Sequence, residues 1–358
     1  MIAFVIGTKA ELIKCISLML ELKKAKQSYW FIHTGQHPVE QACEQFKVKK
    51  PDYILSEQPK ETKFWSKINQ KSVWWSMGMI FKVKKIIKKL KPSYVVYHGD
   101  TMSSAIAAIA TSNFLNKKKS WQNVHLEAGL RSGSNKEPFP EEISRKICDK
   151  YSDILLAVSD RSKRNLEGEK RKGKIYNVGN TIVDCALITH KNSKFKKKDF
   201  EYALINLHRH ENLKSKKRMQ KCVQIINMIE SKGIWPIHES TKMYLKKYNL
   251  RVAKNIQIVP LTSYPEFIHL LANCKYLVVD GGSIQEESLI FKKPCLLLRK
   301  RTERPEGLET GINFLTKLNP KYSKQIIEQI EDNELLIKDF QNPYGKLGLT
   351  KNILKLFN

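Results

Sequence analysis

Residues 125–149 read HLEAGLRSGSNKEPFPEEISRKICD, His125 to Asp149, and the way this stretch changes character along its length decides how the chain folds. Apolar Val124 leads into His125, Leu126 and Glu127. A Gly- and Ser-rich run carrying Arg131 follows, and regular structure restarts after two prolines with the acids Glu141 and Glu142. That order is a strand, a loop and a helix start. Glu127, Glu141, Glu142, Arg131 and Arg145 concentrate charge on a segment that leaves and re-enters regular structure, which suits a site. A plain capped helix competes with that reading, because Pro140 followed by two acids also suits a first turn without any chemistry.

Working outward, short apolar strands alternate with amphipathic helical stretches through the whole chain. The first set of strands is expected at Ile2 to Ile6, Trp30 to His33, Tyr94 to His98, Val124 to Leu126, Ile154 to Val158 and Ile175 to Val178. A second set follows at Ala203 to Leu207, Trp235 to Ile237, Gln257 to Val259, Tyr276 to Val279 and Cys295 to Leu298. Such alternation predicts an α/β fold of two Rossmann-like, doubly wound parallel-sheet domains. Lys191 to Asp199 is polar and charged without apolar periodicity, and is the expected linker between residues 1–190 and residues 200–340.

At 358 residues with 41% hydrophobic content, the chain can bury a core in each domain. Met1 leads directly into IAFVIG and no apolar run reaches bilayer length, so a cytoplasmic location and no membrane partner are expected. The seven cysteines are scattered singly without a CxxC pair, which argues against a disulfide framework and a zinc site; reduced, partly buried thiols are expected. A formal charge of +29 raises the possibility of nucleic-acid binding. Lysines supply most of it and many fall on helix outer faces, as in FKVKKIIKKLK from Phe81 to Lys91, and the arginine and aromatic interleaving that reads bases is missing. The charge is better used to attract an anionic substrate.

Strand after strand ends in a reactive or glycine-rich group: Gly7-Thr8-Lys9, His33 to His37, His98-Gly99-Asp100, His125 to Glu127, Leu207 to His210, Ile237-His238 and Asp280 to Ser283. Open parallel sheets bind ligands outside the carboxyl ends of their strands, so these groups converge on one crevice per domain, and two domains facing each other make one cleft. Gly7-Thr8-Lys9 opens a helix with Lys14 one turn further on, and its backbone N–H groups suit a phosphate or carboxylate. Asp100 has two readings, as a site group or as the cap of the helix that follows it. Gly281, Gly282 and Ser283 let a ligand approach the backbone at a helix start, Glu287 is placed to accept from ribose hydroxyls, and Arg299, Arg301 and Arg304 bring cations suited to phosphate. Together they point to a nucleotide site. Neither a dinucleotide fingerprint nor a Walker loop is present. His208, beside Arg209, His210 and Glu211 at a crevice edge, is a candidate for site chemistry.

Taken together, the chain resembles the UDP-N-acetylglucosamine 2-epimerase family, of the two-domain glycosyltransferase B fold. The motifs that carry the resemblance run in order through nearly the whole chain: GTKAELIK at Gly7, HTGQH at His33, HGDT at His98, HLEAGLRS at His125, PFPEE at Pro138, VGNTIVD at Val178, HRHEN at His208, GGSIQEE at Gly281, TERPE at Thr302 and NPYG at Asn342. The family eliminates UDP across C1 and C2 to a glycal and adds it back to the other face, which needs acid/base groups at C2 and stabilisation of the departing diphosphate. By motif, the resemblance implies that Asp100, Glu127 and Glu141 move protons or order the sugar and that His208 lies near the diphosphate. Which carboxylate removes the proton stays open. Lys9, Lys14, Phe267, Gly281, Gly282, Ser283, Glu287 and Arg304 fall on the family's UDP-binding positions, and Arg145 sets the charge beside Glu141. Glu142 points about 100° away from Glu141 around a helix and is expected to be a first-turn charge. The tail from Lys346 to Phe357 is expected to form a helix that packs back on the first domain.

Some positions depart from the family pattern. Lys9-Ala10 replaces Arg-Pro, Gly281-Gly282-Ser283 replaces Ser-Gly-Gly, His210 replaces an arginine, and Pro38-Val39 interrupts a region where bacterial members contact a second, activating substrate molecule. The last departure argues against allosteric activation. The resemblance therefore implies a UDP-sugar 2-epimerase that needs no metal or cofactor, with homodimers common among relatives. Release of free N-acetylmannosamine and action on a UDP-diacetamido uronate remain open outcomes. A glycosyltransferase of this fold and a basic nucleic-acid-binding protein are the more distant alternatives.

Overall fold

The structure, a computed structural model, describes residues 1–57, 70–134, 140–337 and 339–357. It divides into two units, Met1–Cys185 with Pro343–Asn358 and Ala186–Asn342. The division falls inside the helix Ile182–Lys191, and residues 191–199 lie within the second unit.

A parallel sheet of seven strands forms the centre of the first unit. Its strands are β1 (Ile2–Ile6), β2 (Tyr29–His33), β3 (Tyr53–Ile54), β4 (Tyr94–His98), β5 (Gln122–Ala128), β6 (Ile154–Ala157) and β7 (Lys174–Asn177), in the spatial order β3-β2-β1-β4-β5-β6-β7. The second unit has six: β8 (Tyr202–Asn206), β9 (Lys232–Pro236), β10 (Ile256–Val259), β11 (Tyr276–Val279), β12 (Cys295–Leu297) and β13 (Asn313–Leu315), in the order β10-β9-β8-β11-β12-β13. Every β1 residue is buried, as expected for a strand covered on both faces by helices. Strand order reverses between β1 and β4 in one sheet and between β8 and β11 in the other. At those switch points the crevice opens at the strands' carboxyl ends.

Each expected strand is present. The short edge strands β3 and β13 were not expected, because two or three residues carry too little alternation to read. Local chemistry sets the helix starts. Thr8 forms a capping box with Glu11, and Ser159, Ser215, Ser263 and Asn319 each accept an N–H of the first turn. Helix Met102–Thr111 is rich in alanine and serine and nearly all buried, small enough to lie between the helices Gln70–Leu90 and Glu141–Tyr151. All seven cysteines are free and buried, more deeply than expected.

The C-terminal helix Leu349–Lys355 packs on the helix Lys9–Lys24. Asp184 holds its start, accepting from the Gly348 N–H at 2.6 Å, the Thr350 N–H at 2.8 Å and the Thr350 hydroxyl. Among the described residues no helix is long and apolar enough to cross a membrane.

Candidate active site

The end of β4 supplies His98, Gly99 and Asp100. Thr101, not Asp100, caps the next helix, its hydroxyl accepting from Ser104 N–H at 3.1 Å. Asp100 is thereby freed from the capping role, and its carboxylate pairs with Arg145. The other guanidinium arm of Arg145 reaches Glu142 at 3.0 Å, and both side chains are about 2% exposed.

Glu142 is a first-turn acid, as expected, and it is engaged in the interior. It is buried, and it also accepts the Ser132 N–H at 3.1 Å. The reason is helical phase: Glu142, Arg145 and Asp149 stand at i, i+3 and i+7, one stripe that the helix Glu141–Tyr151 turns inward. Glu141 lies half-buried beside that stripe. Pro138 and Phe139 of the PFPEE motif lie outside the described residues.

Glu127 sits where the β5–β6 register shifts, in a left-handed conformation with φ 66°. A bulge of this kind re-aims a side chain, and a non-glycine residue held at positive φ is strained. Its carboxylate is buried against Lys14, accepts from the Asn180 amide at 3.2 Å and lies 4.0 Å from Nδ1 of His98. Burial holds His98 neutral, its pKa pushed down to about 3 despite the nearby Glu127 charge. The cluster is thus one carboxylate, one ammonium and one neutral imidazole in a nearly dry place.

The turn after β1 differs from its expected use. The N–H groups of Gly7 and Thr8 donate to the Glu11 carboxylate at 2.8 and 2.7 Å, while Thr101 and Ser104 hydroxyls donate to its other oxygen at 2.6 Å each. A side chain three residues on reached these donors, so they are not left open for an anion. Lys9 is half-buried at the first position of that helix.

In the second unit Asp280, fully buried after β11, is the organiser. It accepts from the N–H groups of His208 and Arg209 at 3.0 and 2.9 Å and from the Asn212 amide at 3.0 Å. Burial works against its charge, but these bonds and the His208 ring outweigh it and hold the carboxyl below its ordinary value. The His208 ring, with Nδ1 2.7 Å from Asn206 Oδ1, stacks on His238 at 4.7 Å. Burial, with His208 adding to it, lowers the His238 pKa to about 4.

Gly281, Gly282 and Ser283 lead into the helix Ile284–Ile290, whose first residue has no side-chain cap. A Cβ on Gly282 would lie 3.2 Å from both Arg304 Nη1 and Glu303 Oε1, so a side chain here would press on that ion pair. The expectation of phosphate-facing cations is altered for two arginines. Arg304 is buried against Glu303 and against Glu286 at 2.9 Å, and Arg299 pairs with Glu303 at 2.8 Å. Glu287 accepts from the Tyr264 hydroxyl at 2.8 Å, and Phe267 packs half-buried on the core formed by Leu270, Leu277 and Val279.

Reading the residues alone placed His98 and Asp280 among the strand-end groups without giving either a role of its own, and gave none to Glu11 or Tyr264. The first two sit at the ends of β4 and β11, the switch strands, so strand order was the signal that would have singled them out.

Residues 20–358 match the family model described as UDP-N-acetylglucosamine 2-epimerase. A UDP-N-acetylglucosamine 2-epimerase of Methanocaldococcus jannaschii is 33% identical over 379 aligned positions, covering 99% of this chain and 98% of its own. Its crystal structure, in complex with UDP-GlcNAc and UDP, superposes with a TM-score of 0.83 at 31% identity over 99% of each chain. A UDP-2,3-diacetamido-2,3-dideoxy-D-glucuronate 2-epimerase of Pseudomonas aeruginosa is 30% identical over 327 positions, 87% of this chain and 86% of its own. The fold is the α/β glycosyltransferase B type with two Rossmann-like units. With a family match over nearly its whole length and a relative one-third identical from end to end, this chain belongs to the UDP-N-acetylglucosamine 2-epimerase family.

Proposed function

We propose that the protein interconverts UDP-N-acetylglucosamine and UDP-N-acetylmannosamine. The observation that carries the reading is the strained Glu127 carboxylate, buried with Lys14 and a neutral His98 at the end of β5. A carboxylate poised in a low-dielectric place is what proton transfer at a weakly acidic carbon requires. In the forward direction a carboxylate among Asp100, Glu127 and Glu141 takes the proton from C2. The C1–O bond breaks, its electron pair leaves with UDP, and a C1–C2 double bond remains. Re-addition reverses each step, with the proton delivered to the other face.

Arg145 pairs with Asp100 and so orients one carboxylate. His208, backed by Asp280 and Asn206, lies near the departing diphosphate, and within the second unit Gly281, Gly282, Ser283 and Arg304 form the surroundings of that group. Glu287 takes the ribose hydroxyls and Phe267 the uracil. A cytoplasmic location and a homodimer belong to the same reading.

A second substrate has one observation in its favour, the 30% identity to an epimerase of a diacetamido uronate. Incubating the purified protein with each UDP-sugar and following anomeric proton and phosphorus NMR separates the cases. UDP-N-acetylmannosamine appearing at equilibrium supports the proposal, accumulating UDP with free sugar assigns the hydrolysing outcome, and no change with UDP-N-acetylglucosamine rejects it.

A further inference from the structure

We propose that His125 is a positioning residue: a histidine carrying protons on both ring nitrogens, whose Nε2–H clamps the Gly99 carbonyl and so fixes the turn that presents Asp100. Its kinetic consequence rests on the epimerase reading; its protonation does not.

The ring is fully buried. Nε2 lies 2.9 Å from the Gly99 carbonyl oxygen, which can only accept, so that nitrogen must donate. Nδ1 lies 2.7 Å from Asp149 Oδ1, and the other Asp149 oxygen accepts from Arg131 at 2.7 Å. Burial alone would raise the Asp149 pKa, but His125 and Arg131 overcome it and keep the group an acceptor. Both ring nitrogens therefore donate. Arg131 in turn forks onto Glu169 with two bonds of 2.7 Å, so charge alternates along His125, Asp149, Arg131 and Glu169 from the interior outward.

Gly99 needs such a grip. It is left-handed at φ 74°, and its N–H is already held by the Leu126 carbonyl at 3.0 Å. Strand β5 thus grips this one residue twice, by backbone at Leu126 and by side chain at His125. Asp100 follows directly, and its carboxylate is met by Arg145, four positions before Asp149 on the same helix. One helix face therefore supports both the turn and the carboxylate on it. An apolar side chain would fill the site without the cost of burying a charge, so the charged ring is retained for orientation.

Two substitutions separate clamp from filler. The amide nitrogen of His125→Gln reaches roughly where Nε2 stood and keeps the bond to Gly99, whereas that of His125→Asn reaches roughly where Nδ1 stood and keeps only the bond to Asp149. The expected result is kcat within about threefold of wild type for His125→Gln and roughly 10- to 100-fold lower for His125→Asn, with KM and UDP affinity within about twofold in both. Equal loss of kcat in the two variants, or loss carried by KM, overturns the clamp. A second readout needs no activity: nitrogen NMR of the wild-type ring near neutral pH, with the His125 signals identified by their disappearance in His125→Gln. Both nitrogens at protonated shifts support the proposal and one at an unprotonated shift overturns it. If wild type fails to epimerise, the functional reading falls and these shifts alone decide the clamp.

Discussion

Replacing Asp280 by asparagine removes one acceptor oxygen from a buried carboxylate surrounded by donors. If the amide nitrogen takes the Oδ2 side, the bonds from Arg209 N–H at 2.9 Å and Asn212 at 3.0 Å are lost; if it takes the Oδ1 side, the His208 N–H bond at 3.0 Å and the support of the His208 ring are lost. Two contacts fail in either orientation. Bonds to a charged group contribute about 1.5–3 kcal/mol each and are not additive, so the second unit should lose about 3–5 kcal/mol. For a unit of this size that is a fall of roughly 6–20 °C in Tm. The folded carboxyl titrates below its unfolded value, so its stabilisation is present above the unfolded pKa and is lost as pH falls through the folded one. Urea unfolding of Asp280→Asn against wild type should therefore show a constant gap near neutrality that narrows only in acid. A gap below about 1 kcal/mol at neutral pH, or one that widens on acidification, would refute Asp280 as the organiser of this turn.

Lys14→Met should leave Glu127 buried without its cation and cost about 3–5 kcal/mol by urea unfolding, with turnover lost as well. Glu141→Gln should nearly abolish turnover while calorimetry still finds UDP bound, because Glu141, half-buried at the edge of the inward stripe, is assigned to proton transfer and not to holding the nucleotide. His98 gives a pH signature. Its folded pKa of about 3 lies below the ordinary 6.5, so the unfolded chain binds the extra proton and wild-type stability falls as pH drops through that window. His98→Asn should flatten the slope of urea midpoints between about pH 7 and about pH 5.

Much of the fold was legible because parallel strands buried on both faces leave uninterrupted apolar runs, as in IAFVI of β1 and YLVV of β11. β3 and β13 were too short to carry such a signal. The site was legible as positions at strand ends, where Asp100, Glu127 and His208 fall. Pairing was not legible, because it depends on which side chains meet after folding. Lys14 and Glu127 are 113 positions apart, and no local pattern couples them. Glu11 turning back onto Gly7 and Thr8 likewise reverses the use of a turn whose donors looked open.

The central claim is proton exchange at C2 with UDP leaving and returning. It is tested most directly by incubating the protein with UDP-N-acetylglucosamine in heavy water and reading C2 by proton NMR. Deuterium at C2 in both epimers, accumulating at the rate of epimerisation, is the predicted result. Retention of the C2 proton while no second epimer forms would contradict the account.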